Sequence, residues 1–401
     1  MTEWDVVIAG AGPSGLMAAR EASHGGLRTL VLEEHDEIGV PEHCAGLVSI
    51  RGLGLLNLKP RPDFVRKEIF GAVFHSPTGR ILTLRKKEIV ALVLDRARFD
   101  RQLAEGAMRS GAEIKTGVRV EDIEERRNGL IVGTSEGSLK CRILVDAEGI
   151  ASRLASKLGL TGLRDKRPIP AFQYELEASL EDESLVHVYL GRKLAPGFFA
   201  WIIPSSSETI RVGLACNSGN PLRRLEAFIR EVLGFRDAQT RGKVIRRTSW
   251  PIVTGGPIAR PYASRILLVG DVAGQVKPTT GWGIVTGGFC GMMAGRAAAE
   301  TLAYKDKDRD SSIRNLGIYQ KLWKARWGRE LRLQRILRKA LDALSDKDIE
   351  EIFKVLGEGD RMKDLERQGD MDFQSGILKL LLAEPRLWRL SLKALGDIIR
   401  N

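Results

Sequence analysis

Three glycines near the start of the chain have the spacing of a phosphate-binding loop. Gly10, Gly12 and Gly15 follow a short apolar run, and small residues at helical spacing come next. A second apolar run then ends in Glu33. In such a unit the glycines let the backbone approach a pyrophosphate, the helix N-terminus attracts its charge, and the terminal acid binds a ribose. The pattern predicts a dinucleotide site and leaves NAD and FAD both open.

Acidic residues also follow two later apolar runs. One run ends in Asp146, and the other leads into Gly270 and Asp271. Both segments are typical of a strand that ends in a loop and continues into a helix. The segment after Asp146 has a purely local alternative, in which Ser152 caps the next helix. After the second segment the chain passes through Gly283 into a helix of small residues.

Cys44 lies in a stretch that proline and glycine interrupt, which predicts a loop. The chain has four cysteines, none of them in a C-x-x-C pair or in a Cys/His cluster with metal-ligand spacing. We therefore predict free thiols, a reducing compartment and no metal site. Two interpretations of Cys44 stay open: a small buried residue, or a thiol that takes part in the chemistry.

The composition limits the partners and the location. A length of 401 residues predicts two or three structural units. The formal net charge of +12 favours an anionic partner, such as a phosphorylated metabolite or an acidic membrane surface, over a merely solvated surface. No basic and aromatic binding motif occurs, so we predict no nucleic-acid partner. An apolar run begins almost at Met1, which predicts no signal peptide, and residues 281–304 are too glycine-rich and charged for a membrane span.

Periodicity predicts the elements that hold these residues. Short alternating runs predict a β-hairpin over residues 69–84 and a strand over 89–94, followed by a helix. Candidate meander strands cover residues 118–144. Four antiparallel strands follow between residues 171 and 215, and then another helix.

The C-terminal residues 305–401 are basic and have a helical pattern. A stripe of helical spacing begins with Tyr319, Leu322, Trp323, Arg326 and Trp327 and continues through Leu331, Leu333, Ile336, Leu337 and Leu341. The favoured interpretation is a helical cap that packs this stripe on the core. The alternative is an interfacial helix whose Trp, Leu and Arg side chains meet lipid headgroups.

Four features of the chain resemble the flavoprotein monooxygenase superfold of the para-hydroxybenzoate hydroxylase type. They are the glycine loop, the Asp146 segment, the Gly270-Asp271 segment, and Arg96 before Phe99. The resemblance covers roughly three quarters of the chain and implies FAD rather than NAD. It implies the following cofactor contacts: Gly10, Gly12, Ser14 and Gly15 at the pyrophosphate, Glu33 at the adenosine ribose, Val120 at the adenine, Arg96 beside the FAD, Asp271 at the ribityl and pyrophosphate region, and Gly283 and Ile284 at the flavin ring.

The predicted fold class is α/β: a Rossmann-like FAD-binding domain, an inserted antiparallel-sheet substrate domain and a C-terminal helical region. The FAD-binding domain is discontinuous, because strand–loop–helix segments return after the inserted sheet. The predicted ranges are 1–60, 86–165 and 256–304 for the FAD-binding domain, 61–85 and 166–255 for the substrate domain, and 305–401 for the helical region.

Two further motifs are similar to those of the geranylgeranyl reductase family. Residues 41–46 (Pro-Glu-His-Cys-Ala-Gly) are similar to its P-x-x-C-x-G loop, and residues 199–204 (Phe-Ala-Trp-Ile-Ile-Pro) to its aromatic-x-W-x-F-P motif. The chain departs from the family where Phe199 replaces Tyr, Ile203 replaces Phe, and Trp282 interrupts a G-G-G-I pattern. The similarity implies that Cys44 is a catalytic residue. It also implies further cofactor contacts at Cys44, Ala45 and Leu47. The substrate contacts that it implies are Phe199, Trp201 and Pro204.

This second resemblance implies an FAD-dependent reductase that saturates the isoprenoid double bonds of membrane-lipid precursors. It implies a prenylated lipid substrate and an external electron donor such as ferredoxin or NAD(P)H, because the sequence has no second evident G-x-G-x-x-G. We expect a cytoplasmic protein at the periphery of an anionic membrane.

Two other function classes stay open. Residues 199–204 also approach the W-x-W-x-I-P motif of flavin-dependent halogenases, although the first lysine of the chain is Lys59 and Cys occupies position 44. A hydroxylase of an aromatic or apolar substrate is compatible with the superfold alone. A flavin-binding protein without catalytic activity is the remaining alternative.

Overall fold

In the computed structural model, the chain forms three β-sheets and a set of helices that pack on the sheets and on one another. The described residues are 3–151, 153–160, 167–234, 244–303, 316–375 and 384–387.

The first sheet is built around the strand that precedes the glycine loop. In spatial order its path is β17 (Tyr262–Ala263), β18 (Ile266–Leu268), β11 (Gly137–Asp146), β1 (Glu3–Ala9), β2 (Thr29–Leu32) and β8 (Glu113–Lys115). From β18 to β8 the neighbours are parallel, so their carboxyl ends meet at one edge. The strands β9 (Val120–Arg126) and β10 (Gly129–Thr134) extend β11 as an antiparallel meander, as the sequence predicts.

Helices and the meander cover the two faces of the first sheet. One face packs on α1 (Pro13–His24), α3 (Arg96–Arg109) and α6 (Ile284–Ala303). The other face packs on apolar residues of the meander and on α4 (Arg153–Lys157). Because both faces are covered, every residue of β2 is buried, and its apolar run is continuous rather than alternating.

Helices α1 and α6 approach each other closely because α6 has a glycine at every fourth position. Gly287, Gly291 and Gly295 face α1, and a Cβ atom built on Gly291 or Gly295 would collide with the backbone carbonyl of Ser14 or Ala18. Residues four apart lie on one face of a helix, so this spacing creates a flat stripe without side chains.

The second sheet is antiparallel apart from one parallel pair, β13 with β5. In spatial order it contains β16 (Val244–Val253), β12 (Pro168–Glu177), β15 (Thr209–Ala215), β14 (Ala200–Pro204), β13 (Leu185–Tyr189), β5 (Gly71–His75) and β6 (Ile81–Arg85). Helix α5 (Pro221–Leu233) packs on one face. The opposite face packs against the loop that carries Cys44.

The third sheet connects the other two. It contains β3 (Leu47–Ser49), β7 (Ala91–Leu94) and β4 (Val65–Ile69), and β3 leads into the short helix α2 (Ile50–Leu55). The predicted hairpin over residues 69–84 is observed as β5 and β6, with His75 opposite Ile81. The chain leaves the third sheet at Phe70, whose backbone N–H donates to Ser184 O at 2.8 Å. The predicted domain division cuts between β4 and β7 and stays a prediction.

The C-terminal helices lie beside the core of the first sheet at their start and against the second sheet further along. They are α7 (Gly317–Trp323), a π-helical turn (Lys324–Gly328), α8 (Arg329–Ala343), α9 (Asp346–Leu356) and α10 (Arg361–Gln368). Tyr319, Trp323, Trp327 and Leu331 are all buried in the core that holds α1 and α6. The helical cap is therefore confirmed for these four side chains. The rest of the predicted helical region, at 305–315, 376–383 and 388–401, lies outside the described residues.

We expect Gly295→Ala to destabilise the fold by about 1–3 kcal/mol, the usual cost of overpacking, because its methyl group meets the Ala18 carbonyl. Gly106→Ala is the matched control, since its methyl group meets only Arg109, at 3.9 Å, within helix α3. That variant is expected to gain up to about 1 kcal/mol from helix propensity. Urea denaturation measures both changes, and equal stabilities of the two variants would contradict the close packing of α1 and α6.

Candidate active site

The carboxyl ends of the parallel strands enclose a cavity of about 250 Å³. The first sheet places the ends of β1, β2 and β11 side by side there. Five residues that the sequence singles out line the cavity: Gly10, Gly12, Glu33, Arg96 and Val120.

The three glycines of the loop have different steric surroundings. Gly10 has φ of +105°, and a Cβ atom on it would lie 2.5 Å from Ala147 O, so both the turn and the packing require glycine. A Cβ atom on Gly15 would collide with Gly10 O. At Gly12 the Cβ position has no atom within 4 Å, so the bare backbone at the start of α1 faces open space. This opening fits a pyrophosphate at a helix N-terminus.

Glu33 is held with its carboxylate against the glycine loop. Its Oε2 accepts a hydrogen bond from Ala11 N at 2.7 Å. Its Oε1 contacts the backbone N of His35 at 3.0 Å and the ring Nδ1 at 2.6 Å. These contacts fix the acid at the cavity wall, where a ribose of a bound dinucleotide would need an acceptor.

The segment after β11 contributes a side chain that sequence reasoning missed. Glu148 lines the cavity, and its Oε2 accepts a hydrogen bond from Leu154 N at 2.9 Å in the first turn of α4. Burial raises the pKa of the Glu148 carboxyl. Asp146 Oδ1 accepts from Glu148 N at 3.1 Å, so the acid that ends the strand also shapes the following loop. The predicted cap at Ser152 lies outside the described residues.

Arg96 connects the cavity to Cys44. Its guanidinium forms a two-pronged ion pair with Asp100, with the shortest contact at 2.8 Å, one turn further along α3. Burial acts against the charge of Arg96, but Asp100 and the adjacent Cys44 outweigh it and hold the pKa of Arg96 above its ordinary value. Burial also raises the pKa of the Asp100 carboxyl, and Arg96 opposes that shift. Asp100 follows Arg96 by four residues, and this helical spacing is the signal by which the sequence could have revealed the ion pair.

Cys44 is the half-buried cysteine of the chain, whereas Cys141, Cys216 and Cys290 are buried. Its Sγ accepts a weak hydrogen bond from Gly46 N at 3.3 Å. Ala45 in the loop and Leu47, the first residue of β3, do not line the cavity but pack into an apolar cluster beside it.

This apolar cluster lies between the Cys44 loop and the second sheet. Besides Ala45 and Leu47, it contains five aromatic side chains: Phe198, Phe199, Trp201, Trp250 and Trp282. The rings of Phe199 and Trp201 meet edge to face, with centroids 6.0 Å apart.

Trp201 has a fixed orientation within the cluster. Its Nε1 donates to Gln173 Oε1 at 3.0 Å, and its ring covers Gly213, where any side chain would collide with the indole. Of the three predicted substrate contacts, Phe199 and Trp201 meet in the cluster. Pro204 lies apart from them, at the far end of β14 opposite Ile210.

Asp271, Gly283 and Ile284 meet at the start of α6. A Cβ atom on Gly283 would lie 3.1 Å from Asp271 Oδ1, and Ile284 is the first residue of α6. Ser14 lies behind them, because Cβ atoms on Gly270 or Gly287 would each be 2.5 Å from its Oγ. The N-terminus of α6 therefore points to the same side as the glycine loop, and its positive end favours negative charge there.

Buried polar contacts that the sequence did not reveal hold the turn before α6. Gly270 N donates to Gln275 Oε1 at 2.9 Å, Gln275 Nε2 to Tyr319 Oη at 2.6 Å, and Tyr319 Oη to Leu268 O at 2.8 Å. Burial raises the pKa of the Tyr319 phenol well above its ordinary value, so it stays a donor. The C-terminal cap thereby fixes the turn that carries Asp271.

A buried ion pair connects the same region to the segment after α10. Lys277 Nζ lies 2.7 Å from Asp372 Oδ1, and both side chains are at most 2% exposed. Nζ also lies 4.8 Å from the centre of the Trp282 ring. Asp372 accepts a second hydrogen bond from Ser49, the N-cap residue of α2. A sequence separation of nearly one hundred residues hides this pair from any local pattern.

In the part of the chain that the structure describes, no group of three or more His, Cys, Asp and Glu side chains is arranged to hold a metal ion. Among the same residues, no helix combines the length and hydropathy needed to cross a membrane.

Comparisons with known proteins identify the family. A family model described as an FAD binding domain matches residues 3–289. The digeranylgeranylglycerophospholipid reductase of Methanocaldococcus jannaschii is 33% identical over 368 residues, which cover 88% of this chain and 91% of that protein.

Two solved structures show the fold. A geranylgeranyl bacteriochlorophyll reductase-like protein of Thermoplasma acidophilum has a TM-score of 0.86 at 24% identity and covers 98% of this chain and 100% of its own. The halogenase PltM is more distant, with a TM-score of 0.70 at 15% identity over 99% of this chain and 85% of its own. Both likenesses confirm the predicted fold class.

The family model and the curated relative carry more weight than the fold, because they match the sequence over most of the chain. They confirm FAD as the cofactor and the resemblance to geranylgeranyl reductases. The chain belongs to the FAD-binding-domain family, within the group of digeranylgeranylglycerophospholipid reductases.

Proposed function

We propose that the protein is an FAD-dependent reductase that saturates isoprenoid double bonds of geranylgeranyl lipids used as membrane-lipid precursors. The curated relatives named above support this activity. The observation that carries it is the position of the apolar cluster, which meets the Cys44 loop and lies next to the dinucleotide cavity. Aromatic walls beside a polar cofactor site suit a hydrocarbon chain better than a charged metabolite.

The chain's residues would hold FAD along the edge of the first sheet. Gly12 and the N-terminus of α1 would face the pyrophosphate, and Glu33 the adenosine ribose. FAD, when bound, supplies a hydride for the double bond. The remaining proposed contacts are Gly10, Ser14, Gly15, Cys44, Ala45, Leu47, Arg96, Val120, Asp271, Gly283 and Ile284.

The chain's own part in the reaction is to orient the substrate, exclude water and deliver a proton. The double bond gains a hydride at one carbon and a proton at the other, so one pair of electrons must come from outside. Phe199 and Trp201 would orient the prenyl chain and keep water from it. Cys44, or a water held by its loop, would hold the proton at the reacting bond, next to the cation of Arg96. The N-terminus of α6 would stabilise negative charge on the cofactor side.

We propose an external electron donor, either a ferredoxin or NAD(P)H. We also propose that the protein works at an anionic membrane surface, where its substrate resides. The net charge of +12 supports this. Helix α8 adds exposed Ile336 and Leu341, which are 42% and 38% exposed, beside exposed Arg332 and Arg335. The cytoplasmic location stays a prediction.

We expect the reduced, FAD-loaded enzyme to saturate a digeranylgeranylglyceryl phospholipid in the absence of oxygen. Mass spectrometry should detect the gain of one pair of hydrogen atoms for each reduced bond. Cys44→Ser should lower the turnover rate, and Cys290→Ser, at a cysteine buried in the core, is the matched control. Turnover that requires oxygen would instead favour a halogenase or hydroxylase. Reduced enzyme that ignores every prenyl lipid would favour a flavin-binding protein without this activity.

Gly12→Ala should weaken FAD binding by about tenfold or more, which is at least about 1.4 kcal/mol, while the fold keeps its stability. The added methyl group meets no protein atom and projects into the space proposed for the pyrophosphate. Titration of the apoprotein with FAD, followed by flavin fluorescence, measures the affinity. Gly106→Ala, far along α3, is expected to bind FAD like the parent protein. Unchanged affinity in Gly12→Ala would rule out a pyrophosphate at this loop.

The protein should sediment with phosphatidylglycerol vesicles at low salt and be released as salt increases. The Debye length falls from about 10 Å at 0.1 M salt to about 3 Å at 1 M, which screens the attraction. The double variant Arg332→Glu, Arg335→Glu should lose most of the binding. Arg126→Glu, Arg127→Glu changes the net charge equally on the exposed meander and should retain more of it. Binding that does not depend on salt, or equal losses in both variants, would contradict docking through α8.

A further inference from the structure

The loop that carries Cys44 has no regular secondary structure of its own. Residues 40–46, all of them described, belong to neither a helix nor a strand. Gly46 O accepts a hydrogen bond from Leu94 N at 2.8 Å, which attaches the end of the loop to β7. The position of Cys44 must therefore depend on side chains that reach the loop from elsewhere.

Arg211 reaches the backbone of the loop from the second sheet. It belongs to β15, is 0% exposed, and its Nη1 donates to Ala45 O at 2.8 Å and to Leu94 O at 3.2 Å. A Cβ atom on Gly46 would collide with the same nitrogen, so the guanidinium lies directly against the loop backbone. One cation thus joins the residue after Cys44 to the end of β7.

Glu175 holds Arg211 through the register of the sheet. On β12, Glu175 lies directly opposite Arg211 on β15 and opposite Arg246 on β16. Its Oε1 is 3.6 Å from Arg211 Nε, and its Oε2 is 2.7 Å from Arg246 Nη2. Arg246 Nη1 in turn lies 2.8 Å from Glu42 Oε2, two residues before Cys44. Side chains of β15 and β16 therefore hold the loop on both sides of the cysteine, and Glu175 of β12 lies between the two arginines.

Packing alone gives no reason for an arginine at position 211. Burial lowers the pKa of Arg211, and Glu175 only partly opposes this shift. Among the described residues, Nε and Nη2 have no hydrogen-bond partner. Apolar residues of similar volume usually stabilise a protein interior as well as a buried ion pair does. They cannot, however, donate to the Ala45 carbonyl, so the arrangement is better suited to fixing the loop than to stabilising the core.

We propose that Arg211 is a positioning residue that fixes the Cys44 loop, and that Glu175 and Arg246 hold it in place. The fixing of the loop stands on the geometry, whereas its effect on turnover rests on the proposed function. A loop held at Glu42 and Ala45 keeps the Cys44 thiol against Arg96 and at a constant distance from the apolar cluster. Small displacements of a reacting group are costly in enzymes, so turnover should depend on this support.

Alkylation of the native protein by iodoacetamide tests the fixing of the loop. Cys44 is half-buried and the other cysteines are buried, so labelling under native conditions reports on Cys44. Arg211→Met should increase the labelling rate about tenfold, the factor expected when a hydrogen bond to a charged group is lost. Arg211→Lys keeps a donor near Ala45 O and should restore part of the protection.

Two further variants keep the test decisive. Arg265→Met removes another buried arginine, which donates to Arg127 O at 3.3 Å beside the first sheet, and controls for general loss of stability. Its labelling rate should equal that of the parent protein. Arg246→Met changes a partly exposed side chain, so it should fold even if Arg211→Met does not. It releases the Glu42 side of the loop and should also increase labelling.

Turnover of the same variants separates this proposal from the proposed function. With prenyl lipid, folded Arg211→Met should lose about 10- to 100-fold in kcat with little change in KM, because a misplaced group affects the reaction more than binding. Labelling rates of folded Arg211→Met or Arg246→Met equal to the parent rate would overturn the positioning role. A parent enzyme that reduces no prenyl lipid would overturn the proposed function, and the labelling result would still decide the role of Arg211.

Discussion

The close approach of backbones around Ser14 is the constraint on which the rest of the structure depends. Glycines at positions 10 and 15 let α1 begin directly over the end of β1, and the glycine stripe of α6 lets that helix lie against α1. The turn at Gly270 meets the same serine. Because glycines occupy these contacts, two helix N-termini and the end of the parallel sheet converge on one site.

One face of the second sheet lies against this site, and along its strands the face changes from apolar to charged. On one part of the face, Ala171, Ala215 and Trp250 belong to the apolar cluster. Further along the same strands, Glu175, Arg211 and Arg246 replace them with a row of charges. The Cys44 loop crosses both parts, since its Ala45 packs in the cluster while its carbonyl accepts from Arg211. A single sheet thus offers an apolar surface and a rigid polar attachment to one loop.

Local patterns predicted much of this architecture. Residues close together in the sequence determine the spacing patterns of four features. These are the glycine loop, the meander, the four antiparallel strands and the buried aromatic stripe. The contacts that complete the site have no such signature. Lys277 with Asp372, and Gln275 with Tyr319, join residues 95 and 44 positions apart. A lysine and an aspartate in a polar sequence usually indicate solvent, and only the tertiary fold buries them together. The motif likewise fixes the place of Pro204 in its strand but does not indicate which strand residues face the cluster.

The order of strands in the first sheet has a consequence for synthesis of the chain. The strand β1 emerges from the ribosome first, but its neighbour β11 begins at Gly137 and β18 only at Ile266. At ordinary translation speeds, the interval between the synthesis of β1 and that of β11 is on the order of ten seconds. During that interval β2 can pair with one edge of β1, while the other edge presents unpaired backbone groups of the kind that promote wrong association. The cofactor site is therefore among the last parts of the molecule to form, although its first residues are among the earliest to be made.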